Sequence, residues 1–302
     1  YYEKEWKNLG YGAWQFSSTA YIPGRENMGA LDLSIDFNGL FSKSDTTEKT
    51  VTQQVFKDGH WYLIDQKTGQ YLTGIQPITD QNKVVYYNDA GQMQYGQQNI
   101  NGYWYNFGTF DGAMKTGLVR IPEQNKTVYY ADNGRMQYGW QWVNNATRYF
   151  DTFNGAMVTG QQRINGHWYL FDNNGAMQRG FQNLKAYGDD KTVYYNQDGW
   201  MLYGQQKIEN KWYNFDTFNG AMKTGFVKIP DQNKTVYYAP NGQMQYGWQW
   251  VDNATRYFDT FNGAMATGQK FITGHWYLFD NNGAMQRGFQ NLKDYGDNKT
   301  VY

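Results

Sequence analysis

The stretch that decides the fold is Gly160-Gln161-Gln162-Arg163-Ile164-Asn165-Gly166-His167-Trp168-Tyr169-Leu170-Phe171-Asp172-Asn173-Asn174-Gly175-Ala176-Met177. Large rings dominate residues 167–171, residues 172–175 have the composition of a turn, and Ala176-Met177 resumes the apolar pattern. This reads as a short β-hairpin: an aromatic strand, a turn whose glycine can take positive φ, and a return strand. A lone hairpin is marginal in water, so such a unit must be covered by copies of itself.

The copies are present. A glycine followed two residues later by Met and five residues later by a second Gly starts at Gly91, Gly112, Gly134, Gly155, Gly175, Gly199, Gly220, Gly242, Gly263 and Gly283, and Gly69 begins a further unit with Tyr71 in the Met slot. The spacing is about 21 residues. A longer period of 108 lies above it: Gly166-His167-Trp168-Tyr169-Leu170-Phe171-Asp172 returns as Gly274-His275-Trp276-Tyr277-Leu278-Phe279-Asp280. These periods predict an all-β solenoid of stacked β-hairpin repeats, about 11 units of about 21 residues, over residues 56–302.

Composition narrows the function. The 302 residues include 28 Tyr, 18 Phe, 12 Trp and 34 Gly, and mean hydropathy is −0.84, so apolar character resides in rings. Disordered chains are poor in aromatics. Lys+Arg and Asp+Glu are 27 each, with no basic excess for nucleic acid or an anionic polymer. No apolar run approaches the roughly 18 residues needed to span a bilayer, so no membrane insertion is expected. Cysteine is absent. No Walker-type loop, zinc spacing or Ser/His/Asp constellation is visible, so no cofactor and no metal is expected. His60, His167 and His275 share one repeat position and read as solvated strand residues.

The pattern Gly-x-x-x-Ile-Asn-Gly-x-Trp-Tyr-x-Phe-Asp-x-x-Gly-Ala-Met, best seen in residues 160–177, resembles the cell-wall-binding repeats of Gram-positive surface proteins. These include choline-binding repeats of pneumococcal-type hydrolases, glucan-binding repeats of glucansucrases and the repeats of clostridial toxins. The resemblance implies ligand sites between consecutive hairpins. It also implies a secreted, cell-wall-associated protein of a Gram-positive bacterium or its phage. The partner would be cell-wall polysaccharide, peptidoglycan or teichoic acid, or a glucan. An α-glucan-binding module and a ligand-free spacer are the alternatives.

Residues 1–42 lack the repeat. Residues 1–9 read as the end of an amphipathic helix, and Gly12-Ala13-Trp14-Gln15-Phe16 as a buried strand leading into a loop that contains Leu31-Asp32-Leu33-Ser34. Trp14-Gln15-Phe16-Ser17-Ser18, Pro23-Gly24 and Leu31-Asp32-Leu33-Ser34 resemble the closing strands of family 25 glycoside hydrolases, the lysozyme-type muramidases. The resemblance implies a short α/β remnant of a β/α-barrel, with Asp32 as a remnant catalytic carboxylate. It further implies that the chain begins inside a domain. Glycosidases need two carboxylates, so Asp32 alone predicts no peptidoglycan cleavage by this chain. Residues 43–55 read as a linker.

Candidate ligand contacts are the tryptophans. Trp61, Trp104, Trp168, Trp212 and Trp276 open the aromatic strand, whereas Trp140 and Trp248 follow the second glycine. Trp142 and Trp250 complete a Trp-Gln-Trp alternation that puts two rings on one strand face. Phe171, Phe279 and Met177 read as core. The choline-binding resemblance implies a cage framed by a Trp after the glycine and a strand-opening Trp, and no unit here has both. Gln97, Gln161, Gln205 and Gln269 take the post-glycine slot instead. That pattern predicts a hydroxyl-rich ligand rather than choline.

Overall fold

The computed structural model describes residues 13–20, 31–36, 51–296 and 299–302. The described residues form strands, tight turns and short 3-10 turns, and the architecture is the expected stack of antiparallel hairpins. The chain divides into two compact units, residues 1–98 with 106–114 and residues 99–105 with 115–302.

The pairing within each repeat differs from the reading of the sequence. Strand Gly160–Ile164 pairs with His167–Phe171, and the tight turn between them is Asn165-Gly166, not residues 172–175. Asn165 and Gly166 both have positive φ, 48° and 89°, the type I′ geometry whose twist matches a hairpin. Asn144-Asn145, Glu209-Asn210 and Asp252-Asn253 do the same in their hairpins. Residues 172–175 form a second tight turn, with Asp172 N–H donating to Ala176 O at 3.0 Å and Gly175 N–H to Asp172 O at 2.9 Å, so the short return read from the sequence is present beside the longer hairpin. Met177 makes only a single bridge to Phe171, and its N–H donates to the Thr147 carbonyl of the preceding hairpin at 2.9 Å.

That bond is the joint of the stack, and it recurs. Met157 N–H donates to Thr127 O at 2.7 Å, Met222 to Thr192 at 2.7 Å and Met265 to Thr235 at 2.7 Å, while Met114 donates to Val84 in the smaller unit at 2.7 Å. The Met side chain lies under the glycine of the next repeat. A Cβ added at Gly175 would meet Met157 Sδ at 2.6 Å, and Gly175 also has φ +73°. Backbone conformation and packing therefore both demand glycine there, which is why the Gly-x-Met pattern keeps register.

The core follows the same period. The hairpins between residues 74 and 279 each end on a ring with no exposed surface, among them Phe150, Phe171, Tyr195, Phe215, Tyr238, Phe258 and Phe279. Met177 is half-buried against Phe171.

The first repeat hairpin begins at Thr52, pairing Thr52–Lys57 with His60–Asp65, so strand structure enters the expected 43–55 linker. In the N-terminal segment, Ala13–Ala20 pairs with Leu31–Asp36 through two register shifts. Residues 31–34 are thus strand where a loop was expected, and Asp32 lies on that strand's backbone. The predicted helix over residues 1–9 lies outside the described residues.

Candidate ligand-binding clefts

The residue after the second glycine sits where one hairpin meets the next. Trp140 meets Tyr149 of its own hairpin edge-on, with centroids 4.9 Å apart at 68°. It also meets Tyr169 and Phe171 of the following hairpin, at 4.9 and 5.9 Å. Trp248 repeats this with Tyr257, Tyr277 and Phe279 at 5.0, 4.8 and 5.9 Å. Both indoles keep exposed edges. Edge-to-face contacts of this kind fix ring orientation.

The Trp-Gln-Trp alternation places its rings on one face. Along Gly139–Val143 both Trp residues are exposed and Gln141 is half-buried, and Gly247–Val251 matches it. Trp142 and Trp250 are 69% and 71% exposed. Each stands opposite a threonine, Thr147 and Thr255, at the position where other hairpins carry the strand-opening Trp. In these two units a second exposed indole stands on the same strand as the first, two residues on.

On the other face of each of these hairpins a buried arginine ties the strand to the following loop. Arg148 Nε donates to Asn174 O of the next loop at 3.0 Å, and its Nη1 donates to Val143 O. Arg256 bonds Asn282 O at 3.1 Å and Val251 O. Tyr169, the far wall of the Trp140 cleft, is held by Trp200, whose Nε1 donates to the Tyr169 hydroxyl at 2.6 Å. His167 lies flat on Trp200, centroids 3.9 Å apart at 8°, so this histidine is an aromatic partner as well as a strand residue.

The glutamine slots have a structural task, contrary to their reading as ligand donors. Gln161 Nε2 donates to the buried Tyr195 hydroxyl at 2.7 Å, Gln205 to Tyr238 at 2.9 Å and Gln54 to Tyr87 at 2.8 Å. Where the next hairpin ends in Phe, the slot is apolar: Trp140 with Phe171, Phe181 with Phe215, Phe226 with Phe258, Trp248 with Phe279. A buried hydroxyl needs a partner and a buried phenyl needs none, and the slot residue supplies whichever is required. Burial pushes the Tyr195 hydroxyl up to about 12 and raises those of Tyr238 and Tyr87, against the opposing effect of each glutamine bond. The neighbouring glutamine position is structural too: Gln141, Gln162, Gln206 and Gln249 each donate to the carbonyl three residues earlier.

The strand-opening tryptophans are exposed, and their surroundings differ. Trp61 and Trp276 pair across the hairpin with Phe56 and Phe271, at 5.3 and 5.4 Å. Trp168 and Trp212 stand opposite Arg163 and Lys207. Trp104 is exposed on Tyr103–Phe107.

A stack of hairpins joined by aromatic seams, with paired tryptophans left open at repeated positions, defines a surface-binding repeat module. Residues 115–160, 187–226 and 223–269 match the family model described as choline-binding repeat, and residues 162–177 and 270–285 that described as putative cell wall binding repeat. The array carries choline-binding, cell-wall-binding repeats. No curated protein matches the chain by sequence. Among solved structures it is similar to CbpJ from Streptococcus pneumoniae TIGR4, at 24% identity over 78% of this chain and 94% of that one, TM-score 0.54. It is also similar to choline binding protein F from Streptococcus pneumoniae in the presence of a tetrasaccharide-pentapeptide peptidoglycan analogue, at 24% identity over 78% and 93%, TM-score 0.52. The modular autolysin LytC from Streptococcus pneumoniae is a further match, at 20% identity over 77% of this chain and 52% of that one, TM-score 0.50. At these identities the likeness is one of fold.

Proposed function

We propose that residues 52–302 are a non-catalytic module that holds the envelope of a Gram-positive bacterium, with the Trp140/Trp142 and Trp248/Trp250 clefts taking choline groups of teichoic acid. The observation that carries this is the repeated Trp-Gln-Trp face, two open indoles per strand backed by tyrosines of the same and the next hairpin. A quaternary ammonium offers no hydrogen-bond donor and binds through several ring faces at once. The Gln161 and Gln205 units are excluded from this role because their glutamines are committed to the buried hydroxyls of Tyr195 and Tyr238.

The likeness of residues 14–18 and 31–34 to muramidase closing strands supports a second part of the reading: the module anchors a peptidoglycan hydrolase. With Asp32 as the one candidate carboxylate, this chain binds walls and does not cut them. The test is retention on purified walls with and without choline-bearing teichoic acid. The expected result is retention on the choline-bearing walls and release by millimolar choline. Failure to bind any wall preparation overturns the reading. Turnover of peptidoglycan lost in Asp32→Asn overturns its non-catalytic part.

A further inference from the structure

Nine Asn-Gly pairs lie among the described residues. Without a Cβ, the glycine leaves its backbone nitrogen unshielded, within reach of the asparagine side-chain carbonyl. The fold withholds that nitrogen at seven of the nine. These seven pairs close the turns before the Met positions, where the glycine is buried and its N–H donates to a carbonyl three or four residues back. Gly155 N–H donates to Asp151 O at 2.9 Å, and Gly283 N–H to Asp280 O at 3.0 Å. Packing adds a second restraint, as at Gly175, where an added Cβ would stand 2.6 Å from Met157 Sδ. Rotation at such a glycine opens the joint of the stack.

The other two pairs are hairpin tips, Asn101-Gly102 and Asn165-Gly166, and all four residues are exposed. Gly102 N–H donates to Asn99 Oδ1 at 3.2 Å. Gly166 N–H and the Asn165 carboxamide have no hydrogen-bond partner among the described residues, and a Cβ at Gly166 would meet nothing within 4 Å. One pair of the nine is therefore free on every count. The copy 108 residues on keeps the backbone, with φ 46° and 89° at Thr273-Gly274 against 48° and 89° at Asn165-Gly166, but has no carboxamide. Asparagine tolerates positive φ and a β-branched threonine does not, so the copy without the reactive group carries the backbone strain.

We infer that Asn165 is a site of spontaneous modification, converting to aspartate and isoaspartate through a succinimide. The Gly166 nitrogen gives up its proton to water and bonds to Asn165 Cγ, while Nδ2 takes up a proton and leaves as ammonia. Water then opens the ring. Cleavage between that nitrogen and Cγ yields aspartate, and cleavage between it and the Asn165 backbone carbonyl carbon yields isoaspartate, with the chain running through Cβ and Cγ. One water is consumed and one ammonia released. Isoaspartate lengthens the backbone of a two-residue turn, which cannot then hold the type I′ geometry that pairs its strands. The hairpin so loosened carries Gln161, bonded to the buried Tyr195 hydroxyl. The reaction is independent of any ligand the array holds.

The test is mass-spectrometric peptide mapping of the folded 302-residue chain after prolonged warm incubation in neutral buffer, with isoaspartate counted by enzymatic methylation. Conversion at Asn165 should run about tenfold or more ahead of the seven buried pairs, each of which must first open a bonded, packed turn. In urea that unfolds the chain this lead should disappear. Asn165→Thr should remove the signal, and Thr273→Asn should add a second site that reacts at a matching rate. An unreactive Asn165 overturns the inference, as does a common rate for all nine pairs in the folded chain. A lead unchanged by unfolding, or a Thr273→Asn chain with no new site, overturns it as well.

Discussion

The hairpin at residues 139–150 and its neighbour at 160–171 have one backbone and different uses of one position. In the first, Trp140 after the glycine meets the fully buried Phe171 of the next hairpin and keeps an edge for a ligand. In the second, Gln161 reaches the fully buried Tyr195 hydroxyl, and that amide is spent inside the joint. The slot is a seam residue first, and only where the seam asks for an apolar group is a binding ring left over. Under the function proposed above, the choline sites along this array are set by whether the next hairpin ends in Phe or Tyr.

What both hairpins share should be costliest to break. Gly175 has positive φ and stands over Met157, so Gly175→Ala imposes backbone strain and overpacking together, about 3 kcal/mol of destabilisation by these two effects. Denaturant unfolding measures it. A neutral outcome would mean that the Gly-Met joint is not what carries the stack.

Next in size is the ligand effect that separates the two hairpins. Choline at a free concentration 100 times its Kd should stabilise a one-site protein by about 2.7 kcal/mol. The resulting rise in melting temperature should vanish in Trp140→Ala with Trp248→Ala and persist in Trp168→Ala. A rise lost in Trp168→Ala instead would place the sites in the Gln-slot units and reverse the comparison.

Much of this was legible in the sequence, and the failures have physical causes. The Gly-x-Met spacing marked the units because one joint is reused at every repeat. The sequence reading found the shorter of two turns because Asn165-Gly166 and Asn174-Gly175 are both turn dipeptides flanked by rings. Choosing between them requires knowing where the Met177 N–H goes, and its acceptor, Thr147 O, is thirty residues away. The glutamines were misread for a similar reason: their partners lie 33 or 34 residues on, beyond any local pattern. The signal that could have found them was the matching of Gln with a following Tyr and of Trp or Phe with a following Phe. The Trp-Gln-Trp face was read correctly because alternation along one strand is a purely local property.

That matching gives the third test. Gln161→Leu should strand the Tyr195 hydroxyl and destabilise the protein by about 2 kcal/mol, the cost of an unsatisfied buried polar group. Tyr195→Phe in the same chain should recover most of the loss, because the pair then resembles Phe181 with Phe215. A double-mutant cycle without coupling would show that the slot residue and the following ring are independent.

The smallest effect at neutral pH comes from the same tyrosines and emerges only in alkali. Burial raises the folded-state pKa of Tyr195 to about 12, above its ordinary value near 10. The folded protein thus holds a proton that the unfolded chain releases. The contribution is fully present below pH 10 and is lost as pH rises through about 12. Tyr87 and Tyr238 act in the same direction. A Phe at this position has no hydroxyl to ionise, so stability between pH 10 and 12 should fall less steeply once Gln161 and Tyr195 are replaced by Leu and Phe. Equal slopes in the two proteins would mean that the Tyr195 hydroxyl is not sealed in the seam, and that the distinction between Gln-slot and Trp-slot hairpins has another cause.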